Sequence, residues 1–299
     1  MTAFVILHYR AIDSTIKCTE SIKALEGDNQ IVIVDNKSPD DTAERLIERY
    51  KNDPQVKVLL NPENAGFARG NNFGIKYVRE NMNADFICVL NDDVEVLQKD
   101  FCLKISEIYA EKPFDVLGPD IVSVFSGIHQ SPKRMKGFDL NSLRRKMEYV
   151  EKSSKPVRML LSSGQKNNRY IWRGVQRHAR AKQHIDSTVC HENIILHGAC
   201  VIFSSSYIES HPEPFYPKTF MYFEMEILDW LCRQEGNVVL YDPRISVKHY
   251  QYMATTLEYR SIIKRSRFVL NCLSDSLVEA EKLMLSAEKN SCAETAAVN

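Results

Sequence analysis

Apolar residues in the first third of the chain fall in short solid runs, separated by stretches where they return every third or fourth position. Ala3–His8, Gln30–Val34, Val56–Leu60 and Phe86–Asn91 are runs of five or six residues, rich in Val, Ile and Leu. Such runs, nearly without polar alternation, predict strands buried on both faces. Between them, Ser14–Leu25 carries Cys18, Ile22 and Leu25 at helical spacing. A second helix is expected over Ala43–Tyr50, capped by Asp40, Asp41 or Thr42, and a third from about Asn71 to Asn81. Strands alternating with helices imply a parallel sheet wound by right-handed crossovers.

The pattern continues with a strand at Val116–Ser123, then decays from Pro132 to Gln183 into a polar stretch with amphipathic pieces at Leu140–Val150 and Tyr170–Ala181. It resumes at Ile194–Ser204, read as a strand pair or one strand with a glycine kink. A helix from about Glu224 turns Ile227, Leu228 and Leu231 inward. Strands follow at Asn237–Asp242 and Ile245–His249, then helix from Thr255 to about Glu288 and a polar, fraying tail. These breaks predict four regions: 1–125, 126–193, 194–250 and 251–299.

Charge changes this picture in one place. Lys+Arg and Asp+Glu are 39 each, so no global basic excess speaks for nucleic acid. Residues 133–182, however, hold 15 Lys/Arg against Asp139, Glu148 and Glu151. A solvated loop is the plainer reading of that segment; a face toward anionic lipid or a diphosphate-linked acceptor is the functional one. The eight cysteines form no C-x-x-C pair, which fits buried free thiols in a reducing compartment. No apolar run approaches the roughly 18 residues of a membrane span. A cytoplasmic protein is expected, peripheral to the membrane if bound at all.

Chemistry gathers where the strands end. Tyr9 follows the first, Asp35 closes the second, and the fourth ends in Asn91-Asp92-Asp93. In open α/β sheets ligands sit outside the carboxyl ends of the strands. Paired carboxylates there are costly unless a cation meets them, and hard oxygen donors suit Mg²⁺ or Mn²⁺ bridging to a diphosphate. Tyr9 can stack on a base, and Asp35 can accept the imide N–H of uracil or thymine. The plainer alternatives are an acidic turn at Asp92-Asp93 and simple turn chemistry at Asp35. The run Asn61–Gly74 spaces glycines as G-x-x-x-G-x-x-x-G, with a helix start that offers free N–H groups and Arg69 available for a phosphate. It is neither a dinucleotide fingerprint nor a Walker loop.

Taken together, V-I-L-H-Y-R, I-V-I-V-D-N-K-S, N-P-E-N-A-G-F-A-R-G-N-N-F-G and F-I-C-V-L-N-D-D-V resemble the inverting family-two glycosyltransferases, nearest to the bacterial rhamnosyltransferase-like branch of surface-polysaccharide synthesis. The resemblance implies the α/β GT-A fold: a mostly parallel, Rossmann-like central sheet flanked by helices, here with a basic helical insertion and C-terminal helices. It implies a nucleoside-diphosphate-sugar donor, a glycan or polyprenyl-diphosphate-linked acceptor and Mg²⁺ or Mn²⁺. Matched onto its motifs, Tyr9, Asp35 and Arg69 hold the nucleotide, helped by Asn64, Gly66 and Asn72 of the glycine run. Asp92 reaches the ribose or sugar, while Asp93 and the late His249 serve the metal. Glu224 or Glu226 is the base where the family carries an acidic pair; Met225 splits that pair here, and Glu224 is favoured because it follows Tyr222-Phe223 directly. Asn91 stands where the motif has its first acid, leaving less charge for the metal. A sugar nucleotidyltransferase would need a glycine-rich loop after the first strand, where His8-Tyr9-Arg10-Ala11 has none. A non-catalytic subunit draws its support from Met225 and Asn91.

Overall fold

A computed structural model describes residues 1–135, 137–154, 185–251, 258 and 262–298. The strands are β1 (Thr2–His8), β2 (Asn29–Asp35), β3 (Val56–Leu60), β4 (Phe86–Asn91), β5 (Val94–Glu95), β6 (Val116–Ser123), β7 (His191–Glu192), β8 (Cys200–Ser204) and β9 (Val239–His249). The helices are α1 (Ile12–Lys23), α2 (Thr42–Tyr50), α3 (Gly66–Asn81), α4 (Phe101–Glu111), α5 (Leu140–Ser154), α6 (Ser205–Ser210), α7 (Glu224–Glu235) and α8 (Ile262–Val298).

One sheet runs in the order β3-β2-β1-β4-β8-β6-β9-β5, with β7 on β9. The long ladders, β1 with β2 and β4, β2 with β3, and β6 with β9, are parallel. The antiparallel β8 joins the two parallel halves by pairing with both β4 and β6. Alternate residues of each strand face opposite layers, as the pleat requires. Ala3 and Val5 of β1 belong to a core layer shared with α3, α7 and α8 on one face, while Phe4 and Ile6 belong to one shared with α1, α2 and α4 on the other. This two-sided burial is why the strands read as solid apolar runs. The fold is α/β as expected.

The elements depart from expectation in instructive ways. α3 begins at Gly66, not Asn71, so the glycine run is the helix's own first turns. A Cβ at Gly74 would stand 2.5 Å from Val5 Cγ1 and 2.8 Å from Val34 Cγ2, so that glycine serves close packing of helix on sheet, not approach to a ligand. Of Ile194–Ser204 only Cys200–Ser204 is strand. Asn237–Asp242 and Ile245–His249 belong to one strand, β9, whose register against β6 shifts between Pro119 and Asp120. α4 escaped the sequence reading although Phe101, Cys102, Ile105 and Ile108 form an apolar stripe. α8 continues past Ala287 to Val298 instead of fraying. The amphipathic stretch Tyr170–Ala181, and with it most of the basic segment, lies outside the described residues, as do Leu257 and Arg260.

Six of the seven described cysteines are buried and all seven are free, in line with their expected use as small core residues. No described helix is long and apolar enough to cross a membrane.

Candidate functional site

The carboxyl ends of β1, β2 and β4 lie along one edge of the sheet, because β1 pairs in parallel with both β2 and β4. His8 at the end of β1 is buried between Thr15 Oγ1 at 2.6 Å and Thr42 Oγ1 at 3.1 Å. Burial pulls its pKa down to about 4 against the opposing charges of Asp35 and Asp40. It is therefore neutral at physiological pH, and its 3.9 Å approach to Asp35 is no ion pair. Asp35 accepts the Ser38 amide at 3.2 Å, so its carboxylate shapes the turn that ends β2.

Asn36, which sequence reasoning passed over, is the hub of this edge. Its Oδ1 accepts from Asn61 Nδ2 and the Ala65 amide, each at 3.1 Å. Its Nδ2 donates to Asn64 Oδ1 and the Gly66 carbonyl, each at 3.1 Å. Asn64 in turn accepts the Gly66 amide at 3.2 Å. Gly66 has φ +72°, and a Cβ there would fall 2.0 Å from the Phe220 carbonyl oxygen. That carbonyl accepts the Phe67 amide at 2.7 Å, so one of the helix-start N–H groups expected to be free is already taken. Asn72 has both ends of its amide on the Phe215 backbone, at 2.6 and 3.2 Å, and ties α3 to the segment that leads into α7. Arg69 is half-exposed and ion-paired with Glu63. Tyr9 donates to Glu258 Oε2 at 3.4 Å, and Arg10 holds the same carboxylate at 2.7 Å.

Asp92 and Asp93 are both buried at the end of β4. Burial raises the Asp92 pKa well above the usual carboxylate range, the neighbouring Asp93 charge raises it further, and the Tyr9 amide only partly offsets them. Among the described residues, Asp92 Oδ2 and Asp93 Oδ1 have no hydrogen-bond partner. The short β5 pairs Val94 with His249 of β9, and Tyr250 N donates to the Asp93 carbonyl at 2.9 Å. Together these contacts carry His249 Nε2 to 3.2 Å from Asp93 Oδ1. Residues 156 apart in sequence thus meet, as both were expected to at a metal. The approach is close but not aligned as a hydrogen bond, so Asp93 Oδ1 remains an orphaned acceptor. An orphaned carboxylate oxygen beside an imidazole is a donor pair that a divalent cation could use. Among the described residues no group of three or more His, Cys, Asp or Glu is placed to hold a metal ion.

A chain of contacts links the start of α7 to this pair. His197 packs its ring 5.6 Å from that of His249. A Cβ on the adjacent Gly198 would lie 3.2 Å from Met225 Cγ. Tyr222 and Phe223, at φ +70° and +79°, deliver the chain into α7 through two consecutive left-handed residues. Bulky residues adopt that conformation only where the surroundings impose it, and such strain gathers at functional sites. Glu224 and Glu226 then diverge. Burial pushes the Glu224 carboxyl up to about 7, Glu226 adds to this, and its own helix amide and Lys133 oppose it. Its Oε1 has no partner. Burial acts on Glu226 too, but Lys133 at 2.7 Å and Lys146 nearby outweigh it and hold its carboxyl below the usual range. The two glutamates are thus one buried carboxyl with a pKa of about 7 and one counter-ion of Lys133, whose Oε2 is also unpartnered among the described residues.

Comparisons with known proteins agree with this architecture. The model of the family described as Glycosyl transferase family 2 matches residues 3–209. The low-salt glycan biosynthesis hexosyltransferase Agl10 of Haloferax volcanii is 26% identical over 111 residues, which are 36% of this chain and 34% of that protein. Residues 1–349 of S. aureus TarS superpose with a TM-score of 0.51 at 13% identity, over 90% of this chain and 64% of that one. The same fragment in complex with UDP-GlcNAc gives 0.51 and 13%, over 84% and 58%. The chain therefore spans about a third of the curated relative and under two thirds of the solved structures, whose likeness is one of fold.

Proposed function

The chain belongs to glycosyl transferase family 2, and on that premise we propose that it is an inverting enzyme that moves a sugar from a nucleoside diphosphate to a hydroxyl of a glycan or lipid-linked acceptor. The observation that carries the reading is the orphaned Asp93 Oδ1 facing His249 Nε2 beside Asp92, at the carboxyl end of β4. Asp93 and His249 would hold Mg²⁺ or Mn²⁺, which when bound supplies positive charge for the departing diphosphate. In this reading Asp92 would serve the ribose or sugar, Asp35 the base edge and Tyr9 stacking. Glu224 accepts the proton of the acceptor hydroxyl. The freed oxygen forms its bond to the anomeric carbon as the carbon–oxygen bond to diphosphate breaks, and the electron pair leaves on the diphosphate.

We propose pyrimidine donors, because an Asp35 carboxylate pairs with N3–H of uracil or thymine. A thermal-shift panel of UDP, dTDP and GDP with Mn²⁺ checks this, since at equal concentration the ligand that binds the fold more tightly raises melting more. UDP or dTDP should shift melting and GDP should not; equal shifts would reject the assignment of Asp35.

A surface-polysaccharide role at an anionic leaflet belongs to the same proposal. The segment 133–182 supplies the charge. The hairpin after β6 exposes Val124, Phe125 and Ile128, in a stretch without Lys, Arg, Asp or Glu from Ile121 to Pro132. Each basic residue near such a surface contributes about 1 kcal/mol. The protein should float with anionic liposomes at low salt and be released at high salt. Equal recovery with neutral liposomes would refute this.

A further inference from the structure

We infer that Gln130 is a positioning residue for the cation site: its side-chain carbonyl holds the ring hydrogen of His249 on Nδ1 and so leaves Nε2 to face Asp93. Gln130 Oε1 lies 2.8 Å from His249 Nδ1. A carbonyl oxygen can only accept, so the nitrogen it faces must carry the hydrogen. Of Gln130 and Asp93, Gln130 makes the aligned hydrogen bond to the ring, because the Asp93 contact at 3.2 Å leaves Oδ1 without one.

The fold holds both partners on β6. His249 is the parallel register partner of Ser123, and Val124 N donates to the His249 carbonyl at 3.1 Å. Gln130 returns along the other side of β6, with its amide on the Ile121 carbonyl at 2.7 Å and Ser123 N on the Ile128 carbonyl at 3.0 Å. The tautomer is thus set by strand geometry and not by solvent. The value of this arrangement to a cation rests on the reading of Asp93 and His249 given above; the tautomer does not. Histidines that ligate metals commonly donate their other N–H in this way, and loss of such a partner lowers metal affinity about 10- to 100-fold.

The test compares wild type, Gln130→Leu, Gln130→Glu and His249→Ala. Ring ¹⁵N shifts of His249 are recorded in the metal-free protein, at a pH where the ring is neutral. Free Mn²⁺ is then titrated by electron paramagnetic resonance in the presence of UDP. Wild type and Gln130→Glu, which keeps an acceptor, should show the Nδ1–H form, and Gln130→Leu a mixture of tautomers with affinity for Mn²⁺ about 10- to 100-fold weaker. A wild-type ring protonated on Nε2 would overturn the inference even if Gln130→Leu fails to fold. So would a Gln130→Leu protein that keeps the Nδ1–H form. If His249→Ala leaves Mn²⁺ affinity unchanged, the metal reading falls, while the tautomer still decides the role of Gln130.

Discussion

Glu224→Gln should lower turnover by about 10²- to 10⁴-fold, the usual worth of a positioned general base, while leaving donor affinity nearly unchanged. Glu224 is favoured over Glu226 because a base must be free to take a proton at the working pH. Each has one unpartnered oxygen among the described residues, but Glu226 is tied to Lys133 and held below the usual range, whereas burial brings the Glu224 carboxyl to about 7. Wild-type kcat/KM should therefore rise with pH through about 7, and the variant should lose that limb. The same shift fixes a stability signature. A carboxyl whose folded pKa exceeds its unfolded value binds more protons in the native state, so its contribution falls as pH rises between the two. Below about pH 4 both states are protonated and Glu224 costs nothing; above about 7, ionising it in the fold costs on the order of 3 kcal/mol. Glu224→Gln should accordingly melt higher than wild type at pH 8 and about equally at pH 4. Glu226→Gln should do the reverse of its neighbour: keep most turnover and lose thermal stability, because Lys133 and Lys146 lose their counter-charge. Full transfer activity in both variants would remove the base from this turn of α7.

Asp93→Ala should abolish the Mn²⁺-dependent part of nucleoside-diphosphate binding. The carboxylate sits where a cation would bridge protein to diphosphate, and His249 alone cannot replace an oxygen donor. Calorimetry of UDP with and without Mn²⁺ reads the effect. Wild type should bind far more tightly with the metal, and the variant should bind equally weakly in both conditions. The variant should not be less stable, since it relieves the like-charge repulsion that raises Asp92. A Mn²⁺ effect undiminished in Asp93→Ala would place the cation elsewhere.

What the sequence made legible follows from what is local. The strands of the β1–β4 half are solid apolar runs because both faces are covered, and composition alone carries that signal. The acids at the ends of β2 and β4 are legible for the same reason, since a strand end is a sequence position. Contacts set by distant pairings are not. Two-residue β5 has no pattern of its own, yet it brings His249 to Asp93. Asn36 could have been read only as a turn residue, because its four partners come from the loop leading into α3. The glycines of α3 suggested ligand approach and instead admit Val5, Val34 and the Phe220 carbonyl, which are 60 or more residues from the helix start or on neighbouring strands. Glu224 and Glu226 looked equivalent at the level of spacing; Lys133, from a segment that reads as a loop, separates them. Tyr222 and Phe223 give no sign in sequence of their left-handed backbone, which only the structure reveals.

The central claim is that the crevice at the ends of β1, β2 and β4, closed by His249, is a nucleotide and metal site. The most direct measurement is an anomalous difference map at the manganese edge from crystals grown with Mn²⁺ and UDP. The account predicts one strong peak within bonding distance of Asp93 and His249, with the diphosphate on its open side and the uracil against Tyr9 and Asp35. Nucleotide and manganese bound away from Asp93, or a crevice that stays empty at saturating UDP and Mn²⁺, would contradict it.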